Sequence, residues 1–147
     1  MPAPMRRVDL IVVHCSASPS TRDIGVKEIR VWHLDRGFAG IGYHYVIRLN
    51  GVTERGRSED IAGAHAEGYN AHSIGICMVG GLNEDGVPAD TFTSAQYETL
   101  KALLSHMRDK YPNAYILGHR DLPRVKKECP CFDVRAWCKV NGINAGE

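Results

Sequence analysis

The chain lacks any run of about 18 apolar residues, so no segment of it reads as membrane-spanning. It also lacks an excess of charge of either sign. Its 18 basic and 17 acidic side chains leave a net charge of +1, which gives no reason to expect nucleic acid as the main ligand. No secretory leader is expected at the N-terminus either. The opening "MPAPMRRVDLIVVHCSAS" has Arg6 and Arg7, but its apolar run is short, carries Asp9 and leads straight into His14. A leader needs an apolar stretch of about 7–15 residues and a small-residue cleavage site. The expectation is therefore a protein that is cytoplasmic as synthesised. Repeats, linkers, low-complexity tracts and heptads are absent too, and a monomer is the default.

What is present fits one domain. The 147 residues are 44% apolar and 24% charged, enough to bury a real core. "VDLIVVH" (8–14) and "SIGICMVGG" (73–81) read as buried strands, and "AYILGH" (114–119) as a third, shorter one. "GYHYVIRLNGVTERGR" alternates on both sides of Asn50-Gly51, a strong hairpin signal. "GVKEIRVWHLDRG" (25–37) puts Val26, Ile29, Trp32 and His33 on one helical face, with Gly37 as its stop. "FTSAQYETLKALLSHMRDKYP" (92–112) has a Thr93/Gln96 capping box, a Phe92/Tyr97 staple and a stripe of Tyr97, Leu100, Leu104, Met107 and Tyr111. "FDVRAWCKVNG" (132–142) has Asp133 as N-cap and Gly142 as stop. The residues 59–73 are Gly- and Ala-rich without a clear period and read as a loop. The fold class is α/β: a central mixed sheet of about five strands flanked by about three helices, in one domain over residues 1–147 with its core at about 8–141.

Chemistry concentrates where strands end. His14 closes the first strand and His119 closes the last. Ligands collect at the carboxyl ends of strands in open α/β sheets, so two neighbouring strands would aim both imidazoles into one cleft. Within "HRDLPRVKKECPCFDV" (119–134), Cys129 approaches the N-terminus of the last helix beside Lys126 and Lys127, a setting that favours thiolate. Two imidazoles and a thiolate suit zinc, and three protein ligands leave one position for water, as in catalytic sites. The spacing is not that of a compact zinc finger. Buried structural thiols and hydrogen-bonded surface histidines remain open on these residues alone, as does a Cys129/Cys131 redox pair. The five cysteines are an odd number and in a reducing compartment would be free or metal-bound.

Taken together, "VVHCSAS", "GVKEIRVWH", "GYHYVI", "HAEGYNAHSIGICMVGG", "FTSAQ" and "KKECPCFDVRAW" resemble the zinc-dependent N-acetylmuramoyl-L-alanine amidases. More narrowly, they resemble the amidase-type bacteriophage lysozymes, which share a fold with animal peptidoglycan recognition proteins. The motifs occur in order over about residues 8–141. By position, the resemblance implies one Zn2+ on His14, His119 and Cys129, with Tyr43 and Lys127 as catalytic residues. It also puts His65 and Asn70 in a loop lining the peptide-binding groove.

The implied reaction is hydrolysis of the amide between N-acetylmuramic acid and the L-alanine of the stem peptide in peptidoglycan. Zinc would supply a water of pKa about 7, and Lys127 a fixed charge for the oxyanion. Tyr43 would position the water or protonate the leaving amine. No HExxH motif occurs, so the base of that zinc-hydrolase class is absent. The resemblance implies a phage or prophage endolysin acting on the wall after release. Wall-fragment recycling fits the same chemistry. A non-catalytic peptidoglycan-binding module and an RNA polymerase-binding regulator on the same fold are the alternatives, and a Cys129–His119 cysteine hydrolase is a third. Two departures stand out. Cys131 replaces a small hydroxyl residue of close relatives, and the arm before His14, which some phage relatives use against RNA polymerase, is a few residues short. Cys15, next to His14, reads as a buried thiol on the opposite face of the strand.

Overall fold

Leu10–Cys15, rich in β-branched residues, form strand β1, in a computed structural model that describes residues 7–123, 125 and 128–146. Consecutive side chains of a strand point to opposite faces. Ile11, Val12 and Val13 are all fully buried, so β1 needs cover on both faces and a partner on each edge. It has them. β1 pairs in parallel with β5 (Ser73–Met78) and with β7 (Tyr115–Gly118). β3 (Tyr45–Ile47) adds in parallel to β5, and β4 (Thr53–Arg55) closes the edge antiparallel to β3. The order is β4-β3-β5-β1-β7. A separate two-stranded parallel ladder joins β2 (Ser18–Pro19) to β6 (Gly81–Leu82).

Parallel neighbours need crossovers. Helices lie in two of the connections: α1 (Val26–Asp35) between β1 and β3 in the chain, and α2 (Ser94–Lys110) between β5 and β7. β3 reaches β5 through β4 and the 3-10 turn Asn70–His72. α3 (Val134–Val140) follows β7 and packs on it. The β3–β4 hairpin turns at Gly51, whose φ of 86° is the left-handed region that favours glycine. Five strands and three helices match the expected fold class. Among the described residues no helix is long and apolar enough to cross a membrane.

The sheet separates two cores. On one face Ile11, Val13, Ile74, Ile76 and Met78 meet Leu100, Leu104 and Met107 of α2 and Val134 and Cys138 of α3. Full burial of each such apolar side chain is worth about 1.5–3 kcal/mol. On the other face Val46 and Cys77 meet Ile29 of α1 together with Ile24 and Ile41. α2 starts at the expected capping box: Gln96 N–H donates to Thr93 Oγ1 at 3.1 Å, and Thr93 N–H to Gln96 Oε1 at 2.9 Å. Phe92 and Tyr97 stack edge to face at 6.1 Å. Asp133 Oδ1 caps α3 by accepting from Ala136 N–H at 3.0 Å. Gly37 and Gly142 both take left-handed φ values just past α1 and α3, which is how helices commonly end.

Candidate metal centre

His14 is the penultimate residue of β1, and His119 follows the last residue of β7. Val13 and Gly118 are register partners, so the next residue on each strand is a histidine at the same level. Their ring centroids lie 4.5 Å apart. Asp121 Oδ2 accepts from Gly118 N–H at 2.9 Å, and His119–Asp121 form a 3-10 turn. That turn ends the strand and starts the loop toward Cys129.

Cys129 is tied to both strand ends. Cys15 N–H donates to its Sγ at 3.1 Å, and Arg120 N–H donates to its carbonyl at 2.8 Å. One nitrogen each of His14 and His119 and the Cys129 sulfur all lie within 4.8 Å of one another. A tetrahedral zinc with bonds of about 2.0–2.3 Å spaces its donors roughly 3.3–3.7 Å apart. Small side-chain adjustments bring the three donors to that spacing. Nitrogen and sulfur donors are those zinc takes in proteins, so the residues fit the ion.

Other thiols surround this end of β1. The Cys15 thiol is hydrogen-bonded to Cys129, and that bond, followed by burial, pushes it far above its usual range. Cys131 is pushed up to about 12 by burial first and then by Cys15. Its Sγ lies 3.4 Å from the carbonyl of Gly81. Cys15 is buried, and its neighbours are the two cysteines of the 129–131 segment.

Tyr43 stacks against His14 at 5.1 Å and against His33 at 5.3 Å. Burial, then the nearby thiols of Cys77, Cys129 and Cys15, raise its phenol well above the usual value. The hydroxyl therefore stays protonated at any working pH. Lys127 lies outside the described residues. His65 and Asn70 do not occupy equivalent positions. His65 Nδ1 lies 2.8 Å from His14 Nε2, whereas Asn70 Oδ1 accepts from the backbone N–H groups of His65 and Ala66, both at 2.9 Å. His33 and His44 are buried against backbone: His33 Nδ1 accepts from Gly42 N–H at 2.8 Å, and His44 Nδ1 accepts from Gly75 N–H at 3.0 Å. His72 and His106 are exposed.

The sequence reading did not single out Ser73, Gly75 or Gly63 around His65. A signal was present in "SIGICM", since a glycine inside a strand marks a close approach by another group.

The profile of the N-acetylmuramoyl-L-alanine amidase family matches residues 4–132. An endolysin of Klebsiella phage KP32 is 44% identical over 133 residues, covering 90% of this chain and 87% of the relative. The solved amidase LysC of Clostridium intestinale URNW superposes with a TM-score of 0.80 at 29% identity, over 97% of this chain and 92% of that one. Drosophila PGRP-LB shares the fold, with a TM-score of 0.74 at 24% identity over 97% and 85% of the two chains. Matched along nearly its whole length, and carrying two imidazoles and a cysteine sulfur gathered at the ends of β1 and β7, this chain belongs to the N-acetylmuramoyl-L-alanine amidase family.

Proposed function

We propose that this chain is a zinc-dependent endolysin. It cuts the amide between N-acetylmuramic acid and the L-alanine of the stem peptide, with His14, His119 and Cys129 holding the metal. The observation that carries this reading is the convergence of those three donors within 4.8 Å in a chain of this family. Bound there, zinc would supply an acidified water, of pKa about 7, and Lewis-acid polarisation of the scissile carbonyl.

The chain's own residues do the rest. Tyr43, whose Oη keeps its proton, donates to the departing amine nitrogen or holds the attacking water. Its ring contact with His14 keeps it beside the metal ligands. Lys127 brings a positive charge for the oxyanion, a contribution of the kind that costs about 10²–10³-fold in rate when a single donor is removed. The substrate is peptidoglycan or a soluble muropeptide. The protein is made in the cytoplasm and reaches the wall after release.

Purified peptidoglycan digested with and without a chelator tests the proposal. The expected result is new alanine amino termini that vanish with the chelator and return with zinc. New reducing sugar ends would overturn the bond assignment. Activity that survives chelation and dies with thiol alkylation would instead make Cys129 a nucleophile.

A further inference from the structure

His65 sits in a socket shaped by residues with little side chain. A Cβ on Gly75 would lie 2.6 Å from the His65 Cγ, and one on Gly63 would lie 2.7 Å from its Cδ2. Only glycine at these two positions leaves room for the ring. From the other side, Asn70 Oδ1 accepts from the backbone N–H of both His65 and Ala66, which fixes the main chain that carries the ring. His44 secures the same ground. It accepts from Gly75 N–H at 3.0 Å, and its Nε2 lies 2.8 Å from the Ile61 carbonyl.

Both ring nitrogens of His65 meet protein groups. Nδ1 is 2.8 Å from His14 Nε2, and Nε2 is 3.1 Å from Ser73 Oγ. Ser73 is fully buried at the start of β5. A histidine that binds metal must present an unprotonated nitrogen. With His14 Nε2 set against His65 Nδ1, a metal would be taken by Nδ1. Neutral His14 then carries its proton on Nε2 and donates it to His65 Nδ1. His65, accepting there, carries its own proton on Nε2 and donates it to Ser73 Oγ. Each contact in the line has a donor and an acceptor.

We infer that His65 is a positioning residue: it fixes the tautomer and ring orientation of His14, with Ser73 behind it, so that Nδ1 is aimed at the position shared with His119 and Cys129. This rests on the reading of those three residues as metal ligands. It differs from the groove-lining role that resemblance alone implied for His65.

The test compares zinc-loaded wild-type protein with His65→Leu and His65→Asn. Zinc affinity is measured by chelator competition, and kcat and KM on a muropeptide at saturating zinc. His65→Leu removes the acceptor and is expected to bind zinc about 10–100-fold more weakly. His65→Asn, whose Oδ1 can accept near the Nδ1 position, is expected to recover most of that loss. Wild-type zinc affinity in a folded His65→Leu, with only KM raised, would overturn the inference and leave the metal-site reading standing. Failure of the wild-type protein to bind zinc would remove that reading itself. If His65→Leu does not fold, 15N-histidine NMR of the zinc-loaded wild type decides. A proton on His14 Nε2 with the metal at Nδ1 supports the inference, and the reverse arrangement overturns it.

Discussion

Cys129 and Cys131 are two residues apart, yet their surroundings set them to different tasks. Cys129 faces the two histidines. Cys131 is not part of that cluster: its Sγ lies 3.4 Å from the Gly81 carbonyl, and burial, then Cys15, raise its thiol to about 12. Cys129→Ser is therefore expected to lose most bound zinc and activity while far-UV circular dichroism stays unchanged. Cys131→Ser is expected to keep both metal and activity, as metal analysis and a wall-lysis assay would show. Tyr43→Phe separates the roles further: zinc content is retained while kcat falls about 10²-fold or more. His14, His119 and Cys129 were legible in the sequence because strand ends and family motifs both mark them. His65 was only half legible. Its motif flagged it, but its contact with His14 spans 51 positions and depends on glycines whose purpose appears only when the strands are assembled.

The elements follow from local rules to an unusual degree. The Thr93/Gln96 box, the Gly51 hairpin turn and the Asp133 cap are all short-range signals, and each is realised in the structure. What local rules do not reveal is that Gln96 does more than cap. It is fully buried, and its Nε2 donates to the carbonyls of Val79 at 2.8 Å and Ile47 at 3.2 Å, joining α2 to β3 and to the end of β5. A polar residue in a capping box looks like a surface residue, so nothing in its sequence context predicts this burial. Gln96→Leu leaves the Val79 carbonyl and the Thr93 N–H short of partners. Each such group costs about 1–3 kcal/mol when buried, and a loss of about 2–3 kcal/mol in urea unfolding is expected. The β2–β6 ladder was equally invisible, being two residues long on each side. Its pairing is set by where β1 and β5 end, not by its own composition.

Across the whole molecule the three candidate donors lie at or beyond the ends of β1 and β7, whereas the two faces of the sheet are packed by apolar side chains from α1, α2 and α3. Removing zinc should thus lower the thermal midpoint without unfolding the protein at room temperature, unlike a zinc finger. Calorimetry at increasing free zinc would show the midpoint rising, with about 2.7 kcal/mol gained at a hundredfold excess over Kd. A second whole-molecule tie runs through Glu59. Burial alone would raise its carboxyl, but hydrogen bonds from Tyr45 and Tyr111 and the Lys110 ammonium outweigh this and hold it below its usual 4.5. Because the folded value is depressed, this contribution is complete above pH 4.5 and is lost as pH falls through the lower folded value. Glu59→Gln should flatten the acid limb of a midpoint-versus-pH curve in that window. The layered α/β architecture was readable from periodicity. The partners of Glu59 were not, since they come from β3 and the end of α2.

β1 is synthesised before the strands it pairs with, yet it lies inside the sheet, flanked by strands that begin at residues 73 and 115. Cys15 and Cys129, in contact in the folded protein, are separated by 114 positions. A ribosome that has not yet passed Cys129 carries a chain with two of the three donors and no means of holding them against a third. The three donors thus come together only once the chain has been made through residue 129, and products stopped before it are expected to carry no cutting activity.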